Sequence, residues 1–286
     1  MTADQPPMSS AERDVIREAR NVLATALDAI GPVITPQAGH AQMTAKSDGT
    51  PVTTADLYVD EQLHDRLTAS FPDHGIISEE RSTVVPDTEW TWIIDPIDGT
   101  SNFTNDLPYW CLSIALAFQG VPVLGVIDAP VIGRRYEAIT GEGTLRNGQP
   151  VNVRQPIDWT DPTHRHVPIM LTMDTARHAR AAGVRCNVRN MGSAALDMAV
   201  VADGTAIASI EQIPHIWDIA AGRVIVTQAG GVMVHPGCTD VFPLHPGDDH
   251  VDVATVTITA PTIAIAESLA NALLPADPDN PAAPQT

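Results

Sequence analysis

Apolar residues recur at helical spacing in two segments near the start of the chain. The first segment runs from Ser9 or Ser10, either of which can cap a helix, to about residue 30. The second runs from Thr53 or Thr54 to about residue 71. The predicted buried faces consist of Val15, Ala19, Val22, Leu23, Ala26 and Ile30 in the first helix and Leu57, Leu63 and Leu67 in the second.

Short apolar runs follow, and residues typical of turns separate them. Residues 75–78 and 90–94 each read as a strand, and the second of these runs is apolar enough to be buried. From Leu112 to Val153 the chain has the pattern of a meander, with strands over 113–118, 121–127 and 135–139. Short strands with such turn signals predict an antiparallel sheet.

The second half of the chain alternates between strand and helix patterns. Strands are predicted over 167–172, 205–210 and 255–259, and helices over 176–182, 193–202, 218–229 and 261–274. This alternation predicts helices packed on sheets.

The length of 286 residues permits one large domain or two smaller ones. Proline-bearing polar ends predict flexible tails over residues 1–8 and 275–286. The change from meander to alternation divides the remainder into an N-terminal α+β half, residues 9–150, and a C-terminal α/β half, residues 151–274.

The composition narrows the classes of partner. The net charge is −19, with Lys46 the single lysine, so we expect neither nucleic-acid nor anionic-membrane binding, which need a basic surface. The sequence shows no secretory signal and no apolar run long enough for a membrane span. Three widely spaced cysteines form neither a disulfide framework nor a metal-binding pattern. These features predict a soluble protein of the reducing cytoplasm.

The most informative motif is Asp95-Pro96-Ile97-Asp98-Gly99-Thr100, which follows the predicted strand at 90–94. Two carboxylates lie three residues apart, and the proline between them fixes the backbone. Carboxylate oxygens suit Mg²⁺, and backbone N–H groups around Gly99 and Thr100 suit a phosphate. The alternative is a strand followed by an ordinary acidic turn, because Asp-Gly is common in turns. We favour the functional interpretation.

Further carboxylates lie at the ends of other predicted elements, namely Glu79, Glu80, Asp218 and Asp56. If the Glu79-Glu80 pair, the pair of Asp95 and Asp98, and Asp218 converge, they supply four carboxylates plus the Ile97 carbonyl, which is about right for two or three Mg²⁺ ions. A pair of such ions can hold the attacking water and the leaving oxygen of a phosphate ester. Thr100, hydrogen-bonded to Asp56, could orient that water.

Each of these residues also has a purely structural interpretation. Asp218 by itself fits a helix N-cap better than a metal ligand. Asp56 in a first helical turn complements the helix dipole. Glu79-Glu80 fits a solvated loop, and His215 fits a structural role.

Several of the residues belong to separated motifs that occur together over roughly residues 40–265. The motifs are Lys46-Ser47-Asp48, Thr53-Thr54-Ala55-Asp56, Ser78-Glu79-Glu80-Arg81-Ser82, the segment 92–103, Asn147-Gly148, Gly192-Ser193-Ala194-Ala195-Leu196-Asp197 and Trp217-Asp218-Ile219-Ala220-Ala221-Gly222. In this order they resemble the inositol monophosphatase family of Mg²⁺-dependent, lithium-sensitive phosphatases. The resemblance implies an α/β (α+β) protein with the layered αβαβα fold of inositol monophosphatases and fructose bisphosphatases, and a homodimer.

The resemblance also implies roles for individual residues. Two to three Mg²⁺ ions would be held by Glu79, Asp95, the Ile97 carbonyl, Asp98 and Asp218, with inhibition by Li⁺ expected. Catalysis would involve Glu79, Thr100 and Asp56. The phosphate and the substrate would contact Asp98, Gly99, Thr100, Gly192, Ser193, Ala194, Glu211 and Asp218. Lys46 would support the metal carboxylates.

These features predict a Mg²⁺-dependent phosphomonoesterase that acts on a small polyol, sugar or amino-alcohol phosphate, with inositol 1-phosphate first. Histidinol phosphate is second, because the segments 107–110 and 211–212 resemble actinobacterial histidinol-phosphate phosphatases. The segment 151–190, which contributes to the substrate pocket, looks shorter than is typical of the family.

Three further alternatives have less support. A nucleotide 3′-phosphatase would need a basic or aromatic cluster for adenine. A fructose bisphosphatase would need cations for a second phosphate, for which the candidates are Arg134, Arg135, Arg185 and Arg189. A non-catalytic regulatory protein on the same fold would be favoured by loss of a metal carboxylate, and the expected carboxylates are all present.

Overall fold

Helices and sheets alternate in five layers, in the order α, β, α, β, α, across the part of the chain that the structure describes. The structure is a computed structural model that describes residues 8–45, 51–181, 183–238, 240–250 and 255–274. Lys46 and the predicted tails, apart from Met8, lie outside the described residues. This layering confirms the fold expected from the resemblance.

The first layer consists of α1 (Ser10–Ile34) and α2 (Thr54–Ser70). Each begins with a capping box, in which the side chain before the helix and an acidic side chain in its first turn satisfy each other's backbone N–H groups. α1 continues past its predicted end at residue 30, through Pro32, because Ile34 is fully buried in the core.

One predicted core residue of α2 is wrong. Leu57 is 51 % exposed. The buried face instead follows a spacing of four residues through Ala55, Val59, Leu63 and Leu67.

The second layer is a sheet that, within the described residues, has seven strands in the order β3 to β9. They are β3 (Gly75–Ser78), β4 (Trp90–Asp98), β5 (Cys111–Phe118), β6 (Val121–Ala129), β7 (Arg134–Ile139), β8 (Gly143–Arg146) and β9 (Gln149–Val151). β3 pairs with β4 in parallel, and every later pair is antiparallel, as the predicted meander requires.

Both faces of this sheet are covered, and β4 shows how. Trp92 and Ile94 pack against α1 and α2, whereas Ile93 packs against the helices of the middle layer. The continuous apolar run of this strand is therefore the consequence of burial on two sides.

The middle layer consists of α5 (Ala194–Ala202) and α6 (Ile216–Gln228), which lie between the two large sheets. α6 begins two residues earlier than predicted, so Asp218 is its third residue and His215 is its N-cap. The N-cap interpretation of Asp218 is therefore wrong, although its carboxylate does accept the backbone N–H of His215 at 2.8 Å.

The fourth layer is a mixed sheet of five described strands in the order β11-β10-β12-β14-β13. Its strands are β10 (Pro168–Leu171), β11 (Asn187–Arg189), β12 (Ala208–Glu211), β13 (Val232–Val234) and β14 (Thr257–Ala260). The outer layer, α4 (Met173–Ala181) and α7 (Ile263–Leu273), covers its far face. The sequence pattern missed β11 and β13, since three residues are too few to show a period.

Small elements complete the described fold. β1 (Met43–Ala45) pairs with β2 (Pro51–Thr53), and the short helix α3 (Thr100–Thr104) follows β4. Within the described part of the chain, no helix combines the length and the apolar character that crossing a membrane requires.

Candidate active site

A β-bulge at the end of β4 brings the first two carboxylates together. Asp95 lies opposite Ser113 of β5, and Asp98 lies opposite Cys111, so three steps on β4 match two steps on β5. In a regular strand, residues three apart point to opposite faces. The extra residue of the bulge removes that constraint, and both carboxylates are buried on the same side.

Asp218 of α6 completes a group of three carboxylates. One carboxylate oxygen from each of Asp95, Asp98 and Asp218 lies within 4.8 Å of the other two. Asp95 and Asp98 are buried, and Asp218 is half-buried. The three carboxylates therefore come from the end of β4 in the seven-stranded sheet and from the first turn of α6 in the middle layer.

The pKa of each of the three carboxylates is raised. Burial is the largest cause for each, and the charges of neighbouring carboxylates add to it, with Glu79 as the neighbour that acts on Asp98. The buried Oδ1 atom of Asp95 has no hydrogen-bond partner. A compact set of hard oxygen donors with an unpaired buried oxygen fits a divalent cation such as Mg²⁺.

Glu79 lies next to this group but outside the 4.8 Å set. It follows β3, and its backbone N–H donates to the Ile94 carbonyl at 3.2 Å, which joins the turn to β4. Among the neighbouring charges, that of Glu79 raises the pKa of Asp95 the most. The structure therefore brings together Glu79, Asp95, Asp98 and Asp218, the four carboxylates expected to bind metal.

Asp98 is held in place by the start of α5. Its Oδ2 atom accepts a hydrogen bond from the Ser193 hydroxyl at 2.6 Å and one from the Ala195 N–H at 2.7 Å. These bonds lower the pKa of Asp98, but burial outweighs them. The segment from Gly192 to Ala194, expected to face the substrate, therefore lies beside a carboxylate that is expected to bind metal.

The two carboxylate oxygens of Asp56 accept hydrogen bonds from two different residues. Its Oδ2 atom accepts the Thr53 N–H at 2.8 Å and the Thr53 hydroxyl at 2.5 Å, and these bonds cap α2. Its Oδ1 atom accepts the Thr100 hydroxyl at 3.4 Å. Burial, the largest influence, raises the pKa of Asp56. The structural interpretation and the predicted contact with Thr100 therefore both hold.

The backbone around Gly99 is close to α5. The Thr100 hydroxyl oxygen also lies 3.0 Å from the Ile97 carbonyl oxygen, so its single proton is donated either to this carbonyl or to Asp56, and the carbonyl faces the same region as the carboxylates. Gly99 has a φ of 91°, and a Cβ there would lie 3.1 Å from the carbonyl oxygens of Gly192 and Tyr109. Both the backbone conformation and the space therefore require glycine.

A cavity of about 380 Å³ opens beside the carboxylate group. Asp98, Asp218, Glu211 and Asp197 all line it. Glu211 is buried, its Oε1 atom has no hydrogen-bond partner, and burial raises its pKa. The sequence-predicted residues Gly192, Ser193, Ala194 and Glu211 all line this cavity.

Asp197 and Tyr109 are functional candidates that sequence reasoning missed. The Tyr109 hydroxyl donates to Asp197 Oδ1 at 2.7 Å. Burial, assisted by the charge of Asp98, raises the pKa of Asp197 to about 8. The available signal was the position of Asp197 one helical turn after Ser193, which places both on the face of α5 that meets the cavity.

The arginines considered for a second phosphate do not line this cavity. Arg135 binds Asp128 at 2.9 Å and Asp28 at 2.9 Å. Arg134 and Arg135 line a separate cavity of about 350 Å³ at the start of β7. Arg185 and Arg189 are exposed. Lys46 lies outside the described residues, and the ring of His215 stacks on Trp217 at 4.7 Å, in agreement with a structural role.

The family model of the inositol monophosphatase family matches residues 7–275. The chain therefore belongs to the inositol monophosphatase family. The family and the names of several relatives indicate a phosphatase.

Individual relatives carry different names. The chain is 32 % identical over 237 residues to Nus factor SuhB of Pasteurella multocida, covering 79 % of this chain and 84 % of the relative. It is 36 % identical to a histidinol-phosphatase of Chlorobaculum parvum, covering 66 % of this chain and 74 % of the relative. It is 34 % identical to human inositol monophosphatase 1, covering 64 % of this chain and 70 % of the relative.

Solved structures share the fold. The extragenic suppressor protein SuhB of Bartonella henselae superposes with a TM-score of 0.77 at 26 % identity, covering 91 % of this chain and all of the other. The layered sandwich described above is therefore the fold of known family members.

Proposed function

We propose that the protein is a Mg²⁺-dependent phosphomonoesterase that releases inorganic phosphate from the phosphate ester of a small polyol, with inositol 1-phosphate as the first candidate. One observation carries this proposal. Asp95 and Asp98, both buried, and the half-buried Asp218 form a group with an unpaired oxygen on Asp95, and this group lies against a cavity that Glu211 and Asp197 also line. Such a group is costly to bury unless a cation compensates its charge.

The residues present fit two to three Mg²⁺ ions. Asp95, Asp98, Asp218, Glu79 and the Ile97 carbonyl would hold them. When bound, Mg²⁺ would neutralise charge on the phosphate and lower the pKa of a coordinated water.

The chain's own groups supply orientation. Thr100, 3.4 Å from Asp56, is placed to orient the attacking water, and Asp56 is placed to accept a hydrogen bond or a proton from Thr100. Asp98 is fixed by Ser193 and Ala195, so its carboxylate cannot turn away from the reacting phosphate. Glu211 would accept a hydrogen bond from a substrate hydroxyl.

An amino-alcohol phosphate, such as histidinol phosphate, is the second candidate. The acidic pair Glu211 and Asp197 in the cavity wall favours it, because an ammonium group of the substrate would satisfy the unpaired oxygen of Glu211. The described residues that line the cavity include no lysine or arginine, so nothing on these walls would repel that group.

The family resemblance supports proposals for the assembly and for inhibition, and the composition of the chain supports one for its setting. We infer that the protein is a homodimer, acts in the cytoplasm and is inhibited by Li⁺. Size-exclusion chromatography with light scattering tests the dimer, and activity measured in the presence of LiCl tests the inhibition.

The decisive experiment measures phosphate release from a panel of phosphomonoesters with and without Mg²⁺. The panel contains inositol 1-phosphate, histidinol phosphate, fructose 1,6-bisphosphate and a nucleoside 3′-phosphate. We expect Mg²⁺-dependent hydrolysis, fastest with one of the first two. A folded protein that hydrolyses none of them in the presence of Mg²⁺ would instead indicate a non-catalytic protein on this fold.

A further inference from the structure

The turn that carries Glu79 is short and closed by its own backbone. The Ser78 N–H donates to the Ser82 carbonyl at 2.9 Å, and the Arg81 N–H donates to the Ser78 carbonyl at 3.2 Å. Glu79 and Glu80 lie between these anchor points. The direction of the Glu79 side chain therefore depends on how the two ends of the turn are held.

One carboxylate on α2 holds both ends. Asp60 is buried, and its Oδ1 atom accepts a hydrogen bond from the fully buried Ser78 hydroxyl at 2.5 Å. Its Oδ2 atom accepts a hydrogen bond from Arg81 Nε in a charge-assisted pair. The residues immediately before and after the Glu79-Glu80 pair are thus bound to the two oxygens of a single side chain.

Asp60 also links this turn to the other side of the site. It lies four residues after Asp56, on the same face of α2, so the two side chains are neighbours along the helix. Asp56 contacts Thr100, while Asp60 holds the turn of Glu79. One rigid helix therefore sets the distance between the Thr100 region and the Glu79 turn.

We propose that Asp60 is a positioning residue for the metal site: by binding Ser78 and Arg81 it keeps the Glu79 carboxylate directed towards Asp95. This inference rests on the proposed function only in taking Glu79 as a metal ligand. Residues that orient a metal ligand without touching the metal commonly change metal affinity by 10- to 100-fold.

The test compares Asp60→Ala and Asp60→Asn with Asp65→Asn. Asp65 lies on the same helix with its side chain 70 % exposed, so it is a matched control for a lost charge on α2. Mg²⁺ binding to each purified protein is measured by isothermal titration calorimetry, and phosphate release is measured as a function of Mg²⁺ concentration. Thermal unfolding in EDTA reports stability separately.

We expect Asp60→Ala to weaken Mg²⁺ binding about tenfold, and Asp60→Asn to weaken it less, because the amide oxygen can still accept from Ser78. Activity at saturating Mg²⁺ should recover most of its wild-type value. Asp65→Asn should match wild type. A folded Asp60→Ala protein with wild-type Mg²⁺ affinity would overturn the proposal, even if it were less stable.

Ser78→Ala and Arg81→Gln each remove one arm of the contact and decide the question if Asp60→Ala fails to fold. Each should weaken Mg²⁺ binding, and adding Ser78→Ala to Asp60→Asn should weaken it by less than the two separate effects combined. Wild-type affinity in both single variants would overturn the proposal. An inactive wild-type protein would refute the phosphatase, whereas the calorimetry would still decide the role of Asp60.

Discussion

Two groups of carboxylates face the same cavity, and the protein treats them differently. Asp95, Asp98 and Asp218 lie within 4.8 Å of one another, and Asp95 keeps a buried oxygen without a partner. Asp197, on the cavity wall, receives a hydrogen bond from Tyr109. Asp98 and Asp218 also accept hydrogen bonds from the protein, so the first group differs in another way: its three carboxylates lie close together around a buried oxygen that no protein group satisfies. The close spacing of the carboxylates, rather than their number or the presence of a protein donor, therefore separates the proposed metal site from the proposed substrate wall.

Of the substitutions that test this comparison, Asp95→Asn should produce the largest effect. It would remove a proposed metal ligand, so we expect phosphate release to fall by about 10³-fold, equivalent to about 4 kcal/mol in the barrier. In EDTA its thermal unfolding midpoint should equal or exceed that of wild type, since one of several crowded charges is gone. Asp174→Asn, an exposed change on α4, is the control. A variant with more than a tenth of wild-type turnover would contradict the assignment of Asp95 as a metal ligand.

Added Mg²⁺ should distinguish the two groups of carboxylates by how much it raises the free energy of unfolding of variants in each group. Mg²⁺ at about 100 times its dissociation constant should stabilise the wild-type protein by about 2.7 kcal/mol. The same shift should appear in Glu211→Gln and should be lost in Asp218→Asn. The measurement is the unfolding midpoint by calorimetry or fluorescence with EDTA and with Mg²⁺. An equal Mg²⁺ shift in both variants would remove the distinction between the groups.

Glu211→Gln should mainly change substrate binding. It removes the charge of the acceptor with the unpaired Oε1 atom, so we expect KM for the preferred substrate to rise about tenfold, or about 1.4 kcal/mol, with a smaller change in kcat. The rise in KM should be greater for histidinol phosphate than for inositol 1-phosphate, because only histidinol phosphate carries an ammonium group. Equal KM values for wild type and variant with both substrates would exclude contact between Glu211 and the leaving group.

Asp197→Asn should act through the pH dependence of stability. Asp197 has a pKa of about 8 in the folded protein, against 3.8 as its ordinary value. The folded state holds a proton that the unfolded chain releases, so the contribution of Asp197 to stability falls as pH rises across this range. Asparagine does not titrate. The variant should therefore gain stability relative to wild type from about pH 4 to about pH 8.

Thermal unfolding in EDTA at several pH values checks this prediction. The buffer should be free of metal, so that metal binding at the neighbouring carboxylates does not change with pH. A difference between variant and wild type that is constant across pH would show that Asp197 does not titrate with a raised pKa.

The sequence predicted most elements that carry the site, because each is long enough to show its own period or carries a local signal. The strand before Asp95, the helix from Thr53 and the helix from Ser193 are examples. Burial on both sides makes the strand uniformly apolar, and side-chain caps mark both helix starts.

The remaining features depend on contacts between distant segments. Asp98 is bound by Ser193, 95 residues later, and Asp197 is bound by Tyr109, 88 residues earlier. No local pattern reports such pairs. The apolar side chain of Leu57 predicts a core position, yet the buried face of α2 follows Ala55 and Val59 instead. Asp60 gives no local signal of its role, because its partners Ser78 and Arg81 lie 18 and 21 residues away.

The bulge between Asp95 and Asp98 has a consequence for how this segment can change. Its extra residue makes both side chains point the same way, although their separation in sequence is odd. Deleting either Pro96 or Ile97 would restore regular pairing and leave the acids two residues apart, but would move Gly99 and Thr100 relative to α5. Insertion of one residue would set four steps on β4 against two steps on β5 and would disrupt the register that places Asp98 opposite Cys111. The length of this hexapeptide is therefore as constrained as its composition, and we expect a substitution at Ile97 to be tolerated more readily than any change in the number of residues.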